Sequence, residues 1–188
     1  MNAHGEGTGT RENTCPACRP RTTEGGGLAF NEITDCRQVG TKDINRLLVQ
    51  LSPTAAPIGM KELKEIVADA NSHLFVLRVG DSVAGMVTVG TYMSPTGRKA
   101  WIEDVVVDKG FRGQGLGKML VEEATRRTGL AGENNLILPP RPPKGEGNKI
   151  YQMTLMLTSR PQRVAANRLY QSTGFERKET NVYRKKLP

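Results

Sequence analysis

The stretch "DKGFRGQGLGKML", residues 108–120, decides how this chain is read. Gly110, Gly113, Gly115 and Gly117 fall within eight residues, and an amphipathic run carrying Leu116, Met119, Leu120 and Ala124 follows at once. A glycine-rich turn that opens a helix suits phosphate. Without Cβ atoms, successive N–H groups can turn toward one point, and the helix N-terminus adds partial positive charge. Three phosphate loops compete for it. A P-loop needs G-x-x-x-x-G-K-[ST]; counting back from Gly117-Lys118, the first position is Arg112, and Met119 stands where a hydroxyl should hold magnesium. A dinucleotide fingerprint needs G-x-G-x-x-G near the start of a parallel strand–helix–strand unit. Here glycines 113, 115 and 117 alternate and strands joined by short turns precede them. What remains is Arg112-x-x-Gly115-x-Gly117, with an ordinary strand–helix turn as the bland alternative.

Upstream, "HLFVLRV", "SVAGMVTVGTYM" and "KAWIEDVVV" are apolar runs split by the short turns "GD" and "SPTG", the pattern of antiparallel hairpins. Before them, Ile44, Leu47, Leu48 and Leu51 share one helical face behind Thr41 as a candidate N-cap. Leu63, Ile66, Val67 and Ala70 repeat that spacing. "NEITDCRQV" is expected to be the first strand, with Cys36 in the core. Downstream, the helix after the glycines should stop near Gly129. "MTLMLT" reads as a buried strand, "RPQRVAANRLYQST" as a helix starting after Pro161, and "FERKETNVYRKKL" as a closing hairpin. The predicted fold is α/β, a mixed, mostly antiparallel central sheet flanked by helices.

Residues 1–29 are rich in Gly, Thr, Arg and Pro, without apolar periodicity, and are expected to be a disordered tail before a domain spanning 30–188. A Pro- and Gly-rich stretch, 133–152, is expected to be a surface insertion; its "PPRPPK" formally matches a polyproline ligand. Cys15 and Cys18 form half a zinc site with no second pair, so free thiols and no metal are expected. The chain has no apolar run of membrane-spanning length and no secretory signal, so a cytoplasmic protein without membrane contact is expected. The formal charge is +8, much of it late in the chain, which suits a polyphosphate or an acidic partner. Aromatics are only 5% and do not interleave with the basic residues, so nucleic-acid binding is not expected.

The pattern Arg112-x-x-Gly115-x-Gly117 resembles the GNAT superfamily of acyl-CoA N-acyltransferases. The likeness extends to the strand "IEDVVV" before the loop, the helix after it, and Tyr170-Gln-Ser-Thr-Gly174-Phe175, matching the family's Y-x-x-x-G-F. It covers roughly residues 33–186. It implies acetyl-CoA as co-substrate and an amine-bearing acceptor, small molecule or protein. The rival reading is a non-catalytic acetyl-CoA sensor or interaction module. Dimerisation through the sheet edge or the last strands stays open.

The resemblance also assigns roles. Arg112, Gly113, Gln114, Gly115, Leu116 and Gly117 would cradle the pyrophosphate, with Lys118 adding charge. Backbone groups of Val105, Val106 and Val107 would pair with pantetheine like a borrowed strand, one N–H facing the thioester oxygen. Tyr170 would protonate the leaving thiolate. Asn167, one turn before Tyr170, would by its position either hydrogen-bond pantetheine or simply cap polar space. Arg163 stands where the family commonly has Asn, and a CoA phosphate is its alternative partner. A carboxylate must take the proton of the attacking amine. Alternation sends Glu103 and Asp104 to opposite faces unless a bulge intervenes. Glu103, expected on the face of Val105 and Val107, is the expected base, with Asp104 in reserve. That dipeptide is similar to the one in the family's glucosamine-phosphate acetyltransferases. Residues 53–60 and 179–184 would shape the acceptor side.

Overall fold

The computed structural model describes residues 27–129 and 153–185. The Cys15/Cys18 pair and the expected insertion at 133–152 lie outside the described residues. The first strand, β1, is Leu28–Glu32 and pairs antiparallel with the second, β2, Ser72–Val79. Leu28 and Ala29 therefore belong to the sheet, although composition assigns them to the tail. The expected strand over 31–39 stops early for a local reason. Asp35 Oδ1 accepts from the Arg37 N–H at 2.8 Å and Gln38 Oε1 from the Asp35 N–H at 3.0 Å. These bonds close a 3-10 turn at Cys36–Gln38 in place of a ladder. Cys36 is consequently half-buried on a turn rather than in a strand.

Thr41–Leu51 forms α1, capped by the Gly40 carbonyl, and Met60–Ala68 forms α2. Asn45 pins the loop between them, donating to the Ile58 carbonyl at 2.9 Å and accepting from its N–H at 2.8 Å. Two hairpins follow, β2 with β3, Ser82–Ser94, and β3 with β4, Gly97–Val107. A 3-10 turn at Lys109–Phe111 leads into α3, Leu116–Gly129. Then come β5, Thr154–Leu157, and α4, Val164–Ser172. The sheet order is β1-β2-β3-β4-β5, antiparallel except that β5 runs parallel to β4.

The sheet separates two cores. Leu116, Leu120 and Ala124 of α3 pack on Phe75, Leu77, Val87, Val89, Ala100 and Ile102. On the opposite face Ile44, Leu47 and Leu63 of α1 and α2 pack on Leu74, Val76, Val83, Met86 and Val106. Gly85 is required where these layers meet. A Cβ there would stand 2.8 Å from the Val106 carbonyl oxygen and 2.9 Å from Leu120 Cδ1. The expected closing hairpin is absent among the described residues: 175–185 carry no strand. Val182 and Tyr183 are 74% and 88% exposed, and their charged neighbours supply no apolar face to bury.

Candidate active site

The site opens where β4 and β5 part. Their pairing runs from Lys99↔Thr154 to Ile102↔Leu157 and ends, while β4 continues to Val107. The freed edge of Val105–Val107 lines a cavity of about 620 Å³. Arg112, Gly113, Gly115, Leu116 and Gly117 form a second wall, and the start of α4 with Tyr170 a third. Gln114, Lys118, Asn167 and Glu103 do not line it.

Two helix starts face this cavity. Gly113 and Gly115 have φ of +81° and +77°, a region that disfavours side chains, and so turn the chain into α3. Lys118 and Met119 N–H groups both donate to the Gly115 carbonyl, so the N–H groups just upstream lie before the helical ladder. At α4, the Asn167 N–H is the first to return to the helix, bonding the Arg163 carbonyl at 2.9 Å. That leaves the first-turn residues Val164, Ala165 and Ala166 at the cavity wall. Both helix dipoles thus present their positive ends. The charged residues of the lining are Arg112 and Arg163, with no carboxylate among them. The cavity fits an anionic ligand with an extended amide-bearing arm.

The glycine turn is held from below. Asp108, 8% exposed, accepts from the Gly110 N–H at 2.8 Å, from Gln50 Nε2 at 3.0 Å and from Arg46. Gln50 Oε1 accepts from the Lys109 N–H at 2.7 Å. These bonds keep the Asp108 carboxyl below its ordinary value, the Gly110 N–H contributing most. Arg112 Nε donates to the Val107 carbonyl at 3.0 Å. Gln50, Asp108 and Arg46 escaped sequence reading because α1 and the turn are far apart in the chain. The only signal was Gln50 on the same helix as the core leucines.

Tyr170 is 6% exposed, edge-on to Phe175 at 6.3 Å between ring centroids. Burial pushes its phenol up, and Arg163 partly opposes this. It therefore stays protonated at neutral pH. Asn167 donates to the Arg160 and Pro161 carbonyls at 3.0 and 3.4 Å. The amide secures the entry to α4 instead of reaching the cavity.

The carboxylates are placed by a β-bulge. Met86 pairs with Val106 but Thr88 pairs with Glu103, so Asp104 and Val105 oppose Val87 alone. Asp104 has φ of +53°. The bulge reverses the alternation. Ala100 and Ile102 face α3 before it; Val105 and Val107 do so after it, while Val106 faces α1 and α2. Glu103 thus shares the face of Val106, not that of Val105 and Val107 as unbroken alternation predicts. The Thr88 side chain, opposite Glu103 on β3, lies close enough to Asp104 to oppose the rise of its pKa, which puts both carboxylates on the α1–α2 side. Both keep solvent access, yet surrounding protein desolvates them and raises both pKa values. The charge of Asp104 raises Glu103 further.

A split parallel strand pair, a glycine turn at a helix start and a buried tyrosine beside the split define an acyl-CoA-dependent transferase fold. The model of the acetyltransferase (GNAT) domain family matches residues 70–177, more than half of the chain, and the chain belongs to that family. Solved structures agree in fold. An aminoglycoside acetyltransferase from an uncultured soil metagenomic sample, in complex with trehalose, is 16% identical, with TM-score 0.64 over 86% of this chain and 96% of that one. An aminoglycoside N-acetyltransferase in complex with CoA is 16% identical, with TM-score 0.63 over 87% and 97%. A ribosomal-protein-alanine N-acetyltransferase from Brucella melitensis is 13% identical, with TM-score 0.61 over 86% and 100%. At such identities the likeness establishes the fold. No curated protein sequence matches the chain. Among the described residues no helix is long and apolar enough to cross a membrane, and no group of three or more His, Cys, Asp or Glu could hold a metal.

Proposed function

We propose that this chain transfers the acetyl group of acetyl-CoA directly to a primary amine. The observation that carries the reading is the split between β4 and β5, whose freed edge runs from the glycine turn toward Tyr170. Acetyl-CoA supplies an electrophilic thioester and a thiolate leaving group. The turn at 112–117 and the start of α3 hold its pyrophosphate. Backbone groups of Val105–Val107 pair with its amides, and an N–H there stabilises the oxygen that gains charge during attack.

The amine enters from the α1–α2 side, where the bulge gathers Glu103 and Asp104. One of them accepts the amine proton, directly or through water. A desolvated carboxylate with raised pKa is a better base than an ordinary one. Tyr170, held neutral by burial, donates its proton to the departing sulfur.

Calorimetric titration with acetyl-CoA, combined with thiol release across amino sugars, polyamines, aminoglycosides, amino acids and peptide N-termini, tests the reading. Binding with turnover on one class is expected. Binding without turnover on any class favours an acetyl-CoA sensor, and absence of binding removes the assignment of residues 112–117.

A further inference from the structure

We infer that the Arg163 guanidinium stabilises the negative charge passed from the departing CoA sulfur to Tyr170. The inference rests on the acetyl-transfer reading above and assigns the leaving-group side of the reaction to a cation beside the tyrosine.

Arg163 sits at the N-cap of α4 and lines the same cavity as Tyr170. Tyr170 lies inside α4 on the face that meets the cavity, and Arg163, at the N-cap with φ −81° and ψ 59°, meets the same cavity from the helix end, about 10 Å away along the axis. A helical tyrosine leans back toward the helix N-terminus and closes much of that distance. Ala166, between them on that face, also lines the cavity and is small enough to leave the space open. Arg163 forms no ion pair among the described residues. The other lining cation, Arg112, is committed to the Val107 carbonyl at 3.0 Å. The positive charge of Arg163 opposes the burial that raises the Tyr170 phenol.

The chemistry needs such a cation. The amine nitrogen forms a bond to the acetyl carbon, and the C–S bond breaks with its electron pair on sulfur. The Tyr170 proton moves to that sulfur, giving CoA thiol and a tyrosinate that regains a proton from water. An ordinary thiol has a pKa of about 8.5 and an ordinary phenol about 10, so the transfer runs uphill. Burial of Tyr170 steepens it. A guanidinium on the cavity wall it shares with Tyr170 would lower the anion at each stage and flatten the transfer.

The test uses CoA itself and needs no acceptor. Bound CoA thiol and Tyr170 titrate as a coupled pair. Its first pKa is read from ultraviolet thiolate and tyrosinate absorbance against pH, in the wild type, Arg163→Met and Arg163→Lys. Arg163 is exposed, so both variants should fold. The expected result is a first pKa raised by about one unit in Arg163→Met, a tenfold change in the ionisation constant. Arg163→Lys should restore most of it; CoA affinity is read separately, because Arg163 is one of the two cations of the cavity lining. Weakened affinity with an unshifted pKa would reassign Arg163 to a CoA phosphate. No change in either would make it a surface residue. Failure of the wild type to bind CoA would overturn the acetyl-transfer reading itself, and this inference with it.

Discussion

Gln50 Nε2 donates to Asp108 Oδ2 at 3.0 Å, joining α1 to the turn that enters the glycine loop across 58 residues of sequence. The same amide accepts from the Lys109 N–H, and Arg46 completes the carboxylate. The α1 helix therefore also sets the position of the glycine turn.

Asp108→Asn should loosen this junction. An amide nitrogen would replace either Oδ1, which accepts from the Gly110 N–H, or Oδ2, which accepts from Gln50 and Arg46, and so face donors in place of an acceptor, a loss of about 1–3 kcal/mol in stability. The pH dependence has a definite sign. The folded carboxyl lies below its ordinary 3.8, so its contribution is complete above that value and disappears as pH falls through the lowered one. Thermal melting from pH 7 to pH 3 should show the wild type losing its advantage over Asp108→Asn in acid. Parallel curves would show that Asp108 titrates alike in both states.

Gly115→Val tests the cradle. No atom stands within 4 Å of a Cβ at this position, so space is not the obstacle. The φ of +77° is, because a β-branched residue is strained there. The loop should shift and acetyl-CoA affinity fall more than about tenfold, roughly 1.4 kcal/mol. Unchanged calorimetric affinity would show that the pyrophosphate lies elsewhere.

Tyr170→Phe keeps the ring that meets Phe175 and removes only the proton donor. The turnover number should fall on the order of 100-fold or more while acetyl-CoA affinity stays constant. Equal turnover in a stopped thiol-release assay would remove Tyr170 from the acid role.

The two carboxylates are separated by their coupling. If Glu103 is the base, the acid limb of kcat/KM lies above its ordinary 4.5. Asp104→Asn removes a charge that raises Glu103, so that limb should then move to lower pH with activity retained. Glu103→Gln should abolish the limb. If instead Asp104→Asn abolishes turnover and Glu103→Gln spares it, Asp104 is the base.

The local signals read directly from the chain were those that act within one element. The three apolar runs form β2, β3 and β4, and the leucine spacings form α1 and α3. The glycines at 113 and 115 take the positive φ that only such residues adopt freely. The same reasoning misplaced β1, because Asp35 and Gln38 close a turn that composition does not distinguish from a strand. It also expected a hairpin after α4 where apolar residues are too few to cover anything.

Burial of the sheet on both faces and a helix start rich in glycine were thus written into the residue order, since hydrophobic period and backbone freedom are local properties. Which face the carboxylates take was not. That depends on one bulge at Asp104, set by how β3 and β4 register against two helical layers. The tie from Gln50 to Asp108 and the shared wall of Arg163 and Tyr170 are likewise tertiary. A contact between distant elements follows from packing geometry, and no single segment carries that information.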